Sequence, residues 1–486
     1  MCTFTNNLNY FLTLETTSIE QVEKAEIFPL NPPADGVYGF RKGFPIIQFQ
    51  IANQDKFLNP QTLRLNGSLQ LKTATGTAVA NDPTGAASAT NGICLNHRLG
   101  VPAVLQQITL ATQTNQTLEV IRNYGRHLVS VMPATHSQED YDGVLTQQNP
   151  IVSSRSGVAA RSQNTKVDFS IPLRTGLLGS GQPIPLGTNG LRGMMISLEL
   201  SPDSNAISGH SKFTAAGVGT NVTCAPLGAG ASCEISDLSL SYDLLVPDDS
   251  KKGAPATGQF VYNSISHLYG VVNSADETQS YNLGTTNTLA VIHNFLPSSF
   301  INNYSADGFS TDVLKNSNGG AFDTDANIKK VSFIRGGQLF PLDYSVDVED
   351  ESAAGVPQTQ LEIKYIDSIK PFSAWNHASP SMMTQEKLPV HIQKDLAGTP
   401  VRPEMEAEPT KIFGAGINLD PLTRSGVNFK NTNYAVRIVS ELDGLSPNSI
   451  FTYVVAKNVL TYSPQGISVS SWGKIKNDLR NKKLKN

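Results

Sequence analysis

The chain has 486 residues, with 37 Lys and Arg against 41 Asp and Glu, and only 16% of its residues are charged. That length holds two or three domains and a sizeable buried core, and the low charge suits a surface that is largely covered by copies of itself. No apolar run approaches the ~20 residues that a membrane-spanning helix needs, so such a helix is excluded.

The first thirty-odd residues show no sustained period and end in the turn cluster NPPADG, so residues 1–35 read as an N-terminal arm. This text lacks the basic start and apolar run of a signal peptide, and a reducing compartment is expected. The four cysteines, Cys2, Cys94, Cys224 and Cys233, fit no metal motif. Cys224 and Cys233 flank a Gly-rich loop and are within reach of each other across it, but without an export signal free thiols are the expectation. The sequons at Asn66, Asn115, Asn221 and Asn303 carry little weight for the same reason.

Strands follow in series. FPIIQFQI is one, and QTLRLNGSLQLK puts Leu63, Leu65, Leu69 and Leu71 on one face at period two. Residues 73–92 are low-complexity and turn-rich, a long loop. AVLQQITLAT is a strand. After TQTN the period changes, and Leu118, Ile121, Leu128 and Met132 share a helical face, with Thr117 placed to cap it. Gly125 weakens this helix and marks a bend or a close approach. KVDFSIPL and MMISLELS are further strands, and residues 214–232 form a second Gly- and Ala-rich loop. ISDLSLSYDLLVPDD closes the half, with Leu238, Leu240, Tyr242 and Leu244 on one face. PDDSKKGAPATG has linker composition.

The second half repeats the plan without obvious sequence identity. Strand text recurs in QFVYNSI, LAVIHNFL, KKVSFIRGGQLFPLDYSVDV, QLEIKYI, VHIQ, YAVRIVSEL and IFTYVVAKNVLTY. No solenoid or propeller period is present. The expected fold is all-β, two tandem β-sandwiches or jelly rolls with short helices in the loops, over 36–249 and 259–470, joined by a linker at 250–258.

The chain carries few patterns that point to chemistry. The eight histidines are scattered, and none has a partner at metal-ligand spacing. No G-x-S-x-G elbow or argued triad is present. FGAG at 413–416 lacks the third glycine and following helix of a dinucleotide loop, and reads as a loop. DTDAN at 323–327 starts like a calcium loop but has Ile328 and Ile334 where Gly and Glu are needed. DVEDES at 347–352 reads as a solvated loop. No enzyme activity, metal or cofactor is expected.

The C-terminal residues 471–486 differ. Lys474, Lys476, Arg480, Lys482, Lys483 and Lys485 face a single Asp478, a net of +5 that leaves about −9 for the rest of the chain. Trp472, Ile475 and Leu479 fall on one helical face. Such a basic amphipathic tail docks nucleic acid, an anionic membrane or an acidic partner, or it is a solvated terminus.

LGVPAVLQQITLATQTNQTLEVIRNYGRHLVSVM resembles the strand–turn–helix element in the first jelly roll of double jelly-roll major capsid proteins, of the virophage and polinton-like type in the adenovirus–tectivirus lineage. ISDLSLSYDLLVP resembles the end of that roll. VSFIRGGQLFPLDY, with Gly336, Gly337, Phe340 and Pro341, is similar to text in the second roll, and VLTYSPQGISVS, with Pro464, Gln465 and Gly466, to its last strand. The long loops match nothing in the family. The resemblance implies a homotrimer that forms a pseudo-hexameric capsomer, contacts between neighbouring capsomers, and a place in the virion. It also implies penton and minor capsid proteins as partners, with the tail facing an inner membrane or the genome. A carbohydrate-binding or adhesive β-sandwich is the alternative, although the chain has only two tryptophans. A β-sandwich hydrolase is the third class; it needs paired carboxylates in a cleft.

Overall fold

Period-two alternation resolves into paired strands throughout a computed structural model. It describes residues 19–72, 92–95, 99–135, 166–187, 190–210, 231–247, 258–304, 308–309, 328–340, 345–347, 393–394, 400–401, 415–420, 426–440, 447–463 and 466–471. The first half contains β1 (Ile19–Ile27), β2 (Ile46–Ile51), β3 (Phe57–Lys72), β4 (Gly92–Leu95), β5 (Leu105–Thr112), β6 (Thr117–Arg122), α1 (Tyr124–Thr135), β7 (Val167–Pro172), β8 (Ile184–Pro185), β9 (Met194–Leu200), α2 (Asp203–Ala206), β10 (Ile207–His210) and β11 (Ser232–Pro247). Two antiparallel sheets form its sandwich. One has the order β1-β11-β3-β7, with β8 beside the start of β3, and the other has the order β2-β9-β5-β6. β4 and β10 pair separately.

The second half contains β12 (Gly258–Val272), β13 (Asp276–Tyr281), β14 (Thr288–Pro297), β15 (Ile328–Arg335), β16 (Gln338–Leu339), β17 (Ser345–Asp347), β18 (Gln393–Lys394), β19 (Pro400–Val401), β20 (Ala415–Asn418), β21 (Tyr434–Ser440), β22 (Asn448–Ser463) and β23 (Gly466–Ser471). Its sheets run β12-β22-β14-β20, with β23 on β22, and β13-β21-β15-β16, with β17 on β15. The fold is therefore two tandem jelly rolls.

The expected alternation in β11 holds, with one phase change. Cys233 and Ile235 face inward, and so do Leu238, Leu240, Tyr242 and Leu244. Asp237 lies at φ 54° and the register skips between Ser236 and Ser239, so a bulge switches the inward parity from odd to even. Gly67 of β3 faces this bulge; a Cβ there would lie 2.8 Å from Leu238 Cδ2. Cys233 is a free, buried thiol. At the turn Gly336-Gly337, both residues have positive φ, which sets the tight hairpin between β15 and β16.

Four expectations change. Residues 117–122 are not helical: they pair with β5 as a hairpin, and α1 starts only at Tyr124. Leu118 and Ile121 stand three apart, a helical spacing, and both are buried in the strand because its register with β5 shifts between Thr117 and Glu119. Ala415 and Gly416 belong to β20 rather than to a loop, because they pair with β14 at His293 and Ile292. Residues 101–104 form a 3-10 turn ahead of β5. Part of the segment read as an arm, Ile19–Ile27, is an edge strand on β11. QLEIKYI and DTDAN lie outside the described residues, as does DVEDES beyond Asp347.

The continuous apolar runs of β14 and β22 have a direct structural cause. Their sheet is covered on both faces, so alternation gives way to unbroken hydrophobicity. Val291, Phe295, Ile450 and Val454 join the core between the two sheets of the second roll. Ile292, Leu296, Tyr453 and Val455 point the other way and join the core of the first roll.

Candidate functional site: the junction between the rolls

β6 carries one acid inside an apolar strand, Glu119, and the fold buries it where the rolls meet. Its carboxylate oxygens accept N–H bonds from Gly176 at 3.1 Å and Leu177 at 2.8 Å in the first roll, and from Ile265 at 3.0 Å on β12 of the second. Burial pushes this carboxyl up to about 7 against the opposing effect of those bonds. Tyr262 on β12 donates its hydroxyl to Leu118 O at 3.0 Å. Gly176 has no space for a side chain: a Cβ would overlap Asn263 O and sit 2.6 Å from Glu119 Oε1.

Helix α1 supplies the second set of contacts. Tyr453 on β22 donates to Asn123 O at 2.9 Å, and Asn123 Nδ2 meets His267 Nε2 at 3.3 Å. The rings of His127 and His267 lie 4.9 and 5.1 Å from that of Tyr453. Arg126 places its guanidinium over Phe309 and Phe451 and donates to Gly308 O. Asn294 of β14 donates to Ser130 Oγ. Gly125 is a close approach, as its place in the helix suggested: a Cβ would lie 2.8 Å from Phe309 Cε1.

A third buried imidazole, His293, lies inside the second roll, 2.9 Å from Thr452 Oγ1 and 2.7 Å from Tyr434 Oη, and is stacked on the Tyr434 ring. Burial lowers His127 and His293 to about 3 and His267 to about 4, with His267 adding to the effect on His127 and Arg122 to that on His267. All three are neutral packing groups at neutral pH. Among the described residues no cluster of three His, Cys, Asp or Glu is placed to hold a metal, and no helix is long and apolar enough to cross a membrane. The sequon Asn66 is engaged in the sheet through Ser241 and Ser170.

The tail residues Trp472, Lys474, Ile475, Lys476, Leu479, Arg480, Lys482, Lys483 and Lys485 lie outside the described residues, which stop at Ser471 in β23. Glu119 and Gly176 are the junction residues that the sequence reading missed. The available signal was an acid set within TLEVIR, among residues that otherwise pack inward.

What the molecule presents is a rigid double sandwich held by polar bonds and aromatic stacking. That is the fold of the double jelly-roll capsid proteins. Three solved structures share it along nearly the whole chain. PBCV-1 VP54, fitted into a reconstruction of the virophage Sputnik, is 12% identical with a TM-score of 0.54, covering 93% of this chain and 97% of its own. The Faustovirus major capsid protein is 11% identical with a TM-score of 0.53, covering 92% and 91%. The Sputnik virophage chain solved by cryo-EM is 12% identical with a TM-score of 0.52, covering 94% and 89%. No protein-family model and no curated protein sequence matches the chain.

Proposed function

We propose that this chain is a major capsid protein that trimerises into pseudo-hexameric capsomers and tiles an icosahedral virus shell. Its role in the virion is structural rather than catalytic. The observation that carries the reading is the pair of jelly rolls locked through Glu119 and α1, in a fold shared over at least nine-tenths of this chain with virus capsid structures. Two fixed sandwiches per chain supply six per trimer, a near-hexagonal block. A sandwich is a rigid brick whose loops are free to vary. Symmetric assembly then needs only repeated, self-closing contacts.

The native mass tests this directly. Light scattering at moderate salt should give a trimer of about 157 kDa, three times the 52.2 kDa chain, or shell-sized particles. A 52.2 kDa monomer at every concentration would overturn the reading. The basic tail is assigned to the inner surface, where it meets minor or penton proteins, an inner membrane or the genome. Deleting residues 472–486 keeps all of β23. It should leave trimers intact and lower particle yield; unchanged yield would remove the docking role.

A further inference from the structure

Apolar exposure is concentrated at the outer edge of the first roll. Its two sheets end there in β1 and β2, and among the described residues no further strand pairs with either beyond β11 and β9. Of nine large exposed apolar side chains among the described residues, seven fall between Ile19 and Ile46. Val22 on β1 is 55% exposed and Ile46 on β2 is 56% exposed. Ala25 and Ile27 of β1 lean into the roll and are only partly buried against its core. An unpaired strand edge beside such an apolar seam invites stray pairing unless something covers it.

The chain carries a cover of the right kind. Residues 1–18 lie directly ahead of β1 and outside the described residues. Their text is MCTFTNNLNYFLTLETTS, in which Glu15 is the one charged side chain. Leu8, Tyr10, Leu12 and Leu14 stand two apart, a run too short to set a period over the whole arm but long enough for one strand. The polar text ETTS then separates this run from β1.

Register decides which way the run faces. A turn of two residues at 16–17, or of four at 15–18, gives one and the same antiparallel pairing. In it Phe11 falls opposite Val22, and Leu8 opposite Ala25. Directly opposite residues share a face, so Leu8, Tyr10 and Leu12 take the side on which Ala25 and Ile27 meet the core. They close the seam, while Phe11 lies beside Val22 on the outside. A turn of odd length would set the leucines on the outer face, with no core to meet. Length agrees as well: β1 has 9 residues, and residues 6–14 match them one for one.

Charge and tether select this occupant over others. β1 carries Glu20, Glu23 and Glu26 against Lys24, a balance that repels phosphate and acidic surfaces and accepts an uncharged strand. A segment held by so short a turn is present at about millimolar effective concentration, which favours it over a free partner.

We propose that residues 6–14 pair with β1 of their own chain as an added edge strand, capping the open side of the first roll. The cap guards that edge against pairing with strands of other chains. It goes beyond the capsid reading and does not depend on it.

The test is a pair of introduced cysteines, read by peptide mass after mild oxidation. Phe11→Cys/Val22→Cys sets the two Cα atoms opposite each other at about 5 Å, within disulfide reach. Phe11→Cys/Glu26→Cys shifts one partner four residues along, to about 14 Å, out of reach. Both variants also carry Cys2→Ser, so that the nearest native thiol does not compete. The first variant should form a link within one chain at least tenfold more abundant than the second does. Equal linking of the two, links only between chains, or no link in folded protein would overturn the pairing. If either variant fails to fold, amide exchange of the unaltered chain decides. Exchange slowed at least tenfold over both 8–14 and 19–27, at every protein concentration, supports the cap; fast exchange over 8–14, or protection lost on dilution, refutes it.

Discussion

Gly176→Ala is expected to destabilise the protein by at least ~3 kcal/mol, from overpacking and lost buried hydrogen bonds together, and to split its unfolding into two transitions. The added Cβ would overlap Asn263 O and press on Glu119 Oε1. Neither neighbour yields easily. Asn263 is held in β12 opposite Lys457, and Glu119 is held by three backbone N–H groups. Relief therefore moves the 174–178 loop away from β12. That withdraws two donors from a buried carboxylate, which is costly in a low-dielectric site. The core of the first roll continues onto β14 and β22, so the intact protein should melt as one unit, and the variant as two. Gly36→Ala is the control: it has φ +68° but nothing within 4 Å, so it should cost only about 1 kcal/mol. Calorimetry that shows one unshifted transition for Gly176→Ala would refute the joint.

The same geometry explains what could be read from the sequence. β3, β5, β9 and β11 were legible because each has one wet and one dry face, which writes period two into the text. β14 and β22 were legible as strands for the opposite reason, since both faces are dry. β13, DETQSY, was missed: only Tyr281 at its end is buried, so it has no apolar rhythm to read. β1 was missed in the same way, because its outward residues mix Val22 with Gln21, Lys24 and Glu26. The helix start was misplaced because Leu118, Ile121 and Leu128 share a helical period, while a register shift in β6 breaks its alternation. The strand pairing that separates them comes from β5, beyond the reach of a local pattern. Glu119 illustrates the limit most clearly. Its partners lie 57, 58 and 146 residues away, and nothing in TLEVIR announces which chain segments will bring N–H groups to it.

Acidification from pH 7 to pH 5 is expected to weaken the fold, and the balance of buried groups gives the sign. His127 and His293, at about 3, and His267, at about 4, stay neutral in the folded chain and regain their ordinary value of 6.5 on unfolding. Their contribution is present above about pH 6.5 and is lost as the unfolded chain begins to bind protons that the folded chain refuses. Glu119 opposes them. Its carboxyl, raised from 4.5 to about 7, binds a proton in the folded chain before the unfolded chain does, so it adds stability as pH falls through that window. Three imidazoles against Glu119 leave about two protons taken up on unfolding near pH 5.5, or roughly 2–3 kcal/mol lost per pH unit, reduced in part by Asp203, whose carboxyl burial also raises. Denaturant titrations at pH 7, 6 and 5 measure this slope, and a flat profile would refute it. Glu119→Gln removes the opposing proton and should steepen the dependence, even though it weakens the joint at every pH. Two of the three imidazoles, His127 and His267, flank Tyr453 at the junction. Amide exchange at low pH should therefore accelerate first in β6, α1 and β12, ahead of the outer sheet of either roll.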